Sequence, residues 1–409
     1  MEKKIPQLCN SDVCTGCGAC DNSCPVGAIA MTYKQGFKYP IIDAEKCIGC
    51  LACEKSCPII SPQTLSQAYE EPVVYAAWNK DANIREDSSS GGAFSAFATI
   101  ILTNGGCVAG ASYDENMCVN HITIESLDEL EKLRGSKYVQ CSIDDNYKIV
   151  KKKLAEGKKV LFVGTPCQVS GLRSFLKKDY ENLICCDFIC HGVPSPLLFT
   201  DYLKWFENGL DFKTDSFTFR SKKSGWYDAL RVANGSIVAK GKWDAYFLGF
   251  NRNITLRESC YNCPSNGIPR KGDITIADFW GIGRKYKFLS MREIEKGVSL
   301  IMLNNDKGKA FFDDARESLV CHKRTFEEAL AGNKPMIRAS SRPKERDTFY
   351  VDYEIKDFDK LVKKYFSLTG KGKAIAWLRE NSPRFIVVFI RSIAQFITYK
   401  KNGSKSIQK

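Results

Sequence analysis

Short apolar runs alternate with amphipathic stretches over most of this chain, and their spacing predicts a mixed α/β body. VVYAAW (73–78), KVLFVG (159–164), LICCDFI (183–189), DITIADF (273–279) and VSLIML (298–303) have the length and apolar density of buried strands. VNHITIE, around His121, alternates like a half-exposed strand. Helices are expected after several of these runs. Thr165-Pro166 and Ser195-Pro196 each set a capping hydroxyl before Pro at the first helical position. Helix starts at the end of a sheet are where α/β proteins hold anionic ligands, which makes Thr165 a candidate cofactor-binding residue. Ser88-Ser89-Ser90-Gly91-Gly92 runs straight into AFSAFATIIL, a further helical stretch whose capped, glycine-rich start suits a phosphate cradle or, equally on these residues alone, a simple capped turn.

The pattern divides the chain into four parts. Residues 1–60 are Cys-dense and internally repeated, and residues 61–72, within the Pro- and polar-rich stretch from Pro58 to Pro72, read as a linker. Residues 73–355 form the α/β body, and residues 356–409 a basic, amphipathic extension. Within that extension RFIVVFIRSIAQFITYKK (384–401) gives a helix with a wide apolar face edged by Arg384, Arg391, Lys400 and Lys401. It suits a membrane-surface segment, a partner-docking helix, or a last helix packed on the core with a solvated tail.

Composition changes this picture in two places. The 409 residues include 19 Cys but only 3 His, and the formal net charge is +13. The chain starts without an apolar signal region, and its longest purely apolar run, Phe385 to Ile390, is far too short to span a bilayer. A reducing, cytoplasmic location is the expectation, where clustered Cys mean metal rather than disulfides. The charge collects at one end, with nine Lys/Arg against one Glu from Lys371 to Lys409. A charge gathered in one tail, without interleaved aromatic platforms, makes nucleic-acid binding a poor reading.

Cys14, Cys17, Cys20 and Cys24 precede Pro25; thirty-three residues on, Cys47, Cys50, Cys53 and Cys57 precede Pro58. Both segments read C-x2-C-x2-C-x3-C-P. Three closely spaced thiolates can wrap three corners of an iron–sulfur cube, and the fourth has to cross to another. Zinc would need no third Cys at that spacing. The repeat resembles two-cluster ferredoxins, which implies that Cys14, Cys17, Cys20 and Cys57 hold one [4Fe-4S] cluster and Cys47, Cys50, Cys53 and Cys24 the other. Cys9 lies outside the repeat and is expected to be unligated.

A second set of Cys is scattered. Cys167 falls in the first turn after Thr165-Pro166, Cys190 precedes the Ser195-Pro196 helix, and Cys260-x2-Cys263 supplies a pair. Four soft ligands of this kind suffice for a third cluster, while the plain alternative makes Cys167 and Cys190 small buried residues. The motif order SSGGAFSA, RGSKYVQ (134–140), FVGTPCQ (162–168), CHGVPSP (190–196), C-x2-CP and DITIADFWG (273–281) resembles the family of coenzyme F420 hydrogenase/dehydrogenase beta subunits, over roughly residues 10 to 350.

That resemblance implies an FAD-dependent iron–sulfur oxidoreductase: a two-cluster ferredoxin-like domain, then a mixed α/β flavin-binding domain. It places Ser90, Gly91 and Gly92 against the FAD pyrophosphate and Ser136, Lys137 and Tyr138 against the flavin. The Lys137 ammonium would act on the reduced ring. It gives the third cluster to Cys167, Cys190, Cys260 and Cys263, with Cys186 as a substitute for Cys190, and sets Asp278 and Trp280 at the border of the flavin pocket, with a place in the core as the equal alternative for Trp280. His191 is read as structural in the first place, and His322 as part of an irregular region. The partner is a redox protein or a soluble two-electron carrier. The competing reading is a ferredoxin-type adaptor without flavin, serving a larger redox complex.

Overall fold

The computed structural model describes residues 4–62, 68–208, 212–228, 230–239, 244–368 and 370–403. Residues 63–67 of the expected linker and 404–409 of the basic tail lie outside the described residues. An eight-stranded mixed sheet forms the centre. Its strands are β3 (Val73–Asn79), β4 (Cys107–Tyr113), β5 (Val119–Ile124), β6 (Val160–Gly164), β7 (Leu183–Phe188), β11 (Ile274–Asp278), β12 (Ser299–Leu303) and β13 (Leu319–Arg324). They run in the order β13-β3-β12-β11-β7-β6-β4-β5. The central four, β11, β7, β6 and β4, are mutually parallel, and antiparallel strands close both sides.

The central strands read as continuous apolar runs because both faces are covered. Along β6, Leu161 faces one core while Val160 and Phe162 face the other; along β7, Ile184 and Cys186 oppose Leu183 and Cys185. The helices Ala93–Thr103 and Asp306–Ala315 cover the first face, and Asn146–Ala155 and Pro166–Leu176 the second. The two proline-started helices begin where their caps predict. Thr165 accepts from the Gln168 N–H in a complete capping box, and Ser195 accepts from Leu198. A small sheet of β8 (Phe217–Ser221), β9 (Leu230–Ala233) and β10 (Ser236–Ala239) leans on an aromatic core around Phe199, Tyr202 and Tyr246.

The N-terminal ferredoxin-type domain carries the hairpin β1 (Ile29–Lys34) and β2 (Phe37–Ile42) and the short helices Ala19–Ser23 and Ala52–Lys55. It is docked through buried polar groups, among them Asn22 Nδ2 to Asp144 O at 2.6 Å and Gln140 Nε2 to Thr15 O at 3.2 Å.

Two local expectations change, and one of the three readings of the C-terminal helix is met. His121 is buried, not half-exposed: its ring stacks on Phe162 and its Nε2 meets Val163 O at 3.0 Å, because β5 is covered by its neighbours. His322 lies on β13 and stacks on Trp78. The helix Arg384–Gly403 packs on the body through Val388 and through Arg391, which pairs with Asp228 and Glu295, while Phe385, Phe389 and Ile390 stay exposed. No helix among the described residues is long and apolar enough to cross a membrane.

Candidate functional site

Three sulfur-lined cavities run from the surface of the ferredoxin-type domain to the ends of the parallel strands. The outer one, of about 300 Å³, gathers Cys24, Cys47, Cys50 and Cys53 with Ile29 and Ile42. The middle one, of about 390 Å³, gathers Cys14, Cys17, Cys20 and Cys57, and also Cys9. The inner one, of about 600 Å³, gathers Cys167, Cys190, Cys260 and Cys263. Thr15 and Gly16 line both the middle and the inner cavities, so one turn of chain is the wall between them. Among the described residues no three His, Cys, Asp or Glu side chains are spaced to hold a single metal ion.

The repeat builds its two cavities by the same local means. Gly16 and Gly49, between the first two Cys of each set, take positive φ (+69° and +72°). Backbone N–H groups then turn toward sulfur: Gly49 N lies 3.4 Å from Cys47 Sγ and Ala28 N 3.1 Å from Cys24 Sγ. Cys9 donates to Cys14 and Cys57, whose thiols fall to about 6, while Cys9 is itself pushed far up.

The inner cavity sits where β6 and β7 end, the usual ligand position of parallel sheets. The capped helix start holds Cys167, whose sulfur lies 3.1 Å from the Thr165 hydroxyl. Burial raises the Cys167 thiol to about 11 and the Cys260 thiol to about 12, and pushes Cys190 well above its ordinary value. A metal bound there has to displace protons. Cys186 lies in the core beneath the sheet, away from this lining, and Cys190 occupies the rim instead. His191 lines the same cavity with both ring nitrogens engaged, Nε2 on Asn253 Oδ1 at 2.7 Å and Nδ1 on Ser340 Oγ at 3.5 Å, which suits a structural role.

The flavin-motif residues form a neighbouring group. Ser136 N donates to Ser89 Oγ at 2.9 Å, joining the Ser/Gly loop to the 134–141 segment. Gly91 N donates to Ser299 Oγ, and Ser90 Oγ donates to Val298 O, so these two groups serve the sheet. A Cβ on Gly91 would come within 2.4 Å of Ala77 O. Gly92, at φ +88°, starts the helix Ala93–Thr103 with no side-chain cap. Its first N–H groups therefore lack an internal side-chain acceptor.

Lys137 Nζ donates to Arg134 O at 3.0 Å and lies 5.4 Å from the Tyr113 ring centre; burial brings its pKa down to about 8. Tyr138 is enclosed by Phe219, Phe247 and Phe250. Arg220 pairs with Asp278 beside the Tyr138 hydroxyl, and its Nη2 is buried without a hydrogen-bond partner among the described residues. Trp280 stacks on Trp226 at 4.7 Å.

Residues 74–145 and 157–329 match the N-terminal and C-terminal parts of the coenzyme F420 hydrogenase/dehydrogenase beta subunits, and residues 13–59 a 4Fe-4S dicluster domain. The chain belongs to this family. It is an iron–sulfur protein of electron transfer. Among similar proteins, a subunit of the F(420)H(2) dehydrogenase of Methanosarcina mazei is 24% identical over 225 residues, covering 50% of this chain and 62% of that one. The coenzyme F420-dependent sulfite reductase of Methanocaldococcus jannaschii is 28% identical over 283 residues, covering 68% and 43%. The chain thus spans less than two thirds of either relative. A chain of the F420-reducing [NiFe] hydrogenase complex from Methanosarcina barkeri aligns at 14% identity with a TM-score of 0.46, over 72% of this chain and 92% of that one.

Sequence reasoning missed Cys141 and Arg257 around the inner cavity; Gln140 entered only as the last residue of RGSKYVQ, and Cys9, expected to be unligated, lines the middle cavity. Only Cys141 carried a signal, as the residue following RGSKYVQ.

Proposed function

We propose that this chain is an FAD- and [4Fe-4S]-dependent oxidoreductase that links a two-electron carrier to a one-electron redox partner protein. The observation that carries the reading is the row of three Cys-lined cavities, each with the four sulfurs of one proposed cluster, the innermost beside the segment that bears Lys137. Cys141 lines that cavity, and the Lys137 charge acts on it.

In this reading Cys24, Cys47, Cys50 and Cys53 hold the outer cluster, Cys14, Cys17, Cys20 and Cys57 the middle one, and Cys167, Cys190, Cys260 and Cys263 the inner one. FAD supplies the exchange between a two-electron hydride and single electrons, which a cluster cannot do alone. The uncapped helix start at Gly92 offers N–H donors to its pyrophosphate, with Ser89 and Ser136 alongside. Lys137 would set a cation at the flavin ring from a site already lined with aromatic rings, and Arg220 Nη2 offers a buried donor. Those groups fit an anionic aromatic ligand. A protein partner would approach at Cys50, the exposed thiol of the outer cavity.

Anaerobic reconstitution tests this. About twelve Fe per chain (three four-iron clusters) with acid-released flavin is expected. Eight Fe without flavin would establish the adaptor reading in its place.

A further inference from the structure

Arg257 is fully buried, and among the described residues no carboxylate lies within ion-pair distance of it. Its guanidinium lies in the wall between the middle and inner cavities. Nε donates to Cys14 O at 2.7 Å; Nη1 donates to Lys38 O at 3.1 Å and to Gln140 Oε1 at 3.0 Å. The Tyr39 ring centre is 4.0 Å away, and a Cβ on Gly16 would meet Nη1 at 3.1 Å. Its own N–H donates to Val193 O, on the inner cavity's rim, and Nη2 is buried with no hydrogen-bond partner among the described residues. The Gln140 amide faces the Thr15 carbonyl, completing a bridge of two side chains across the wall.

A buried, unneutralised guanidinium is strongly disfavoured unless an anion compensates it. The two cavities that flank it are where anions of roughly −2 each would sit once four thiolates bind a [4Fe-4S] core.

We infer that Arg257, positioned by Gln140, is the shared counter-charge of the middle and inner clusters and holds both reduction potentials up. This rests on the three-cluster reading above. Adding an electron makes each cluster more negative, so a fixed cation between them favours reduction of both. The outer cavity shares no lining residue with the wall that holds Arg257, so the outer cluster is the one expected to be least affected.

The test is an anaerobic redox titration followed by electron paramagnetic resonance on the full chain, with iron counted in each sample. Arg257→Gln should lower two of three potentials, on the order of tenfold in the oxidised-to-reduced ratio at fixed poise, ~59 mV for one electron. One of the two should be the couple that vanishes in Cys263→Ser. Arg257→Lys should restore most of the shift, which a purely packing role would not do. If Arg257→Gln loses iron, Gln140→Glu, which sets a negative charge beside the guanidinium, should lower the same two potentials. Full iron with unchanged potentials in the variants overturns the inference. About eight Fe in the unmodified protein overturns the three-cluster reading on its own.

Discussion

Gly171 lies against Cys17. A Cβ built at Gly171 would stand 3.0 Å from both Cβ and Sγ of Cys17 and 2.8 Å from the Tyr147 hydroxyl. The helix that carries Cys167 at its start thus presses its bare backbone on a thiol of the neighbouring domain. Those two cysteines belong to different cavities, yet this contact and the Thr15-Gly16 wall hold the cavities side by side.

Gly171→Val should therefore spoil the middle site. Overpacking typically costs about 1–3 kcal/mol, and here the neighbour is a proposed ligand of the middle cluster. The expected iron content falls from about twelve toward about eight while the inner cluster stays reducible. Full iron with an unaltered spectrum would show that Cys17 has room to move.

Cys263→Ser should remove about four Fe and leave the N-terminal pair reducible. Cys186→Ala, in the core, should keep all the iron and cost only packing, about 1 kcal/mol. Loss of all iron in the first variant, or of any in the second, would contradict the assignment of the inner site.

Lys137→Met should lower the flavin retained after gel filtration, since the site loses its cation. Stability gives an independent readout in flavin-free protein. Burial holds the Lys137 pKa near about 8 against an ordinary 10.5, so below pH 8 the folded state carries a desolvated ammonium at full cost. Between 8 and 10.5 the folded protein sheds that proton before the unfolded chain does, and wild-type stability recovers with rising pH. The variant should be the more stable near pH 7, by up to about 3 kcal/mol, with the gap in Tm closing toward pH 10.5. A gap independent of pH would mean that Lys137 is not desolvated.

Arg391→Ala should destabilise the attachment of the C-terminal helix. It leaves Glu295, a buried carboxylate already raised by desolvation, without its partner, at a cost of about 3 kcal/mol. Limited proteolysis should then cut near residue 384 faster. Unchanged cleavage would show that Val388 and its apolar neighbours hold the helix unaided.

What the chain determined locally was legible. The apolar runs at 73, 160, 183, 274 and 299 became strands because each has to bury both faces, and the two Thr/Ser-Pro starts became capped helices. The Cys repeat announced iron because its spacing is itself the geometric requirement. Tertiary structure alone decided the rest. Whether Cys186 or Cys190 reaches the cavity depends on where β7 ends relative to the sheet's edge. That Gly91 spends its N–H on Ser299 depends on strands more than two hundred residues apart. Arg257 had no signature at all, since a lone arginine acquires meaning only when the fold sets it between two sulfur-lined cavities. Short-range spacing encodes what neighbouring residues can grip; the long-range packing of separate elements determines which charges and sulfurs meet.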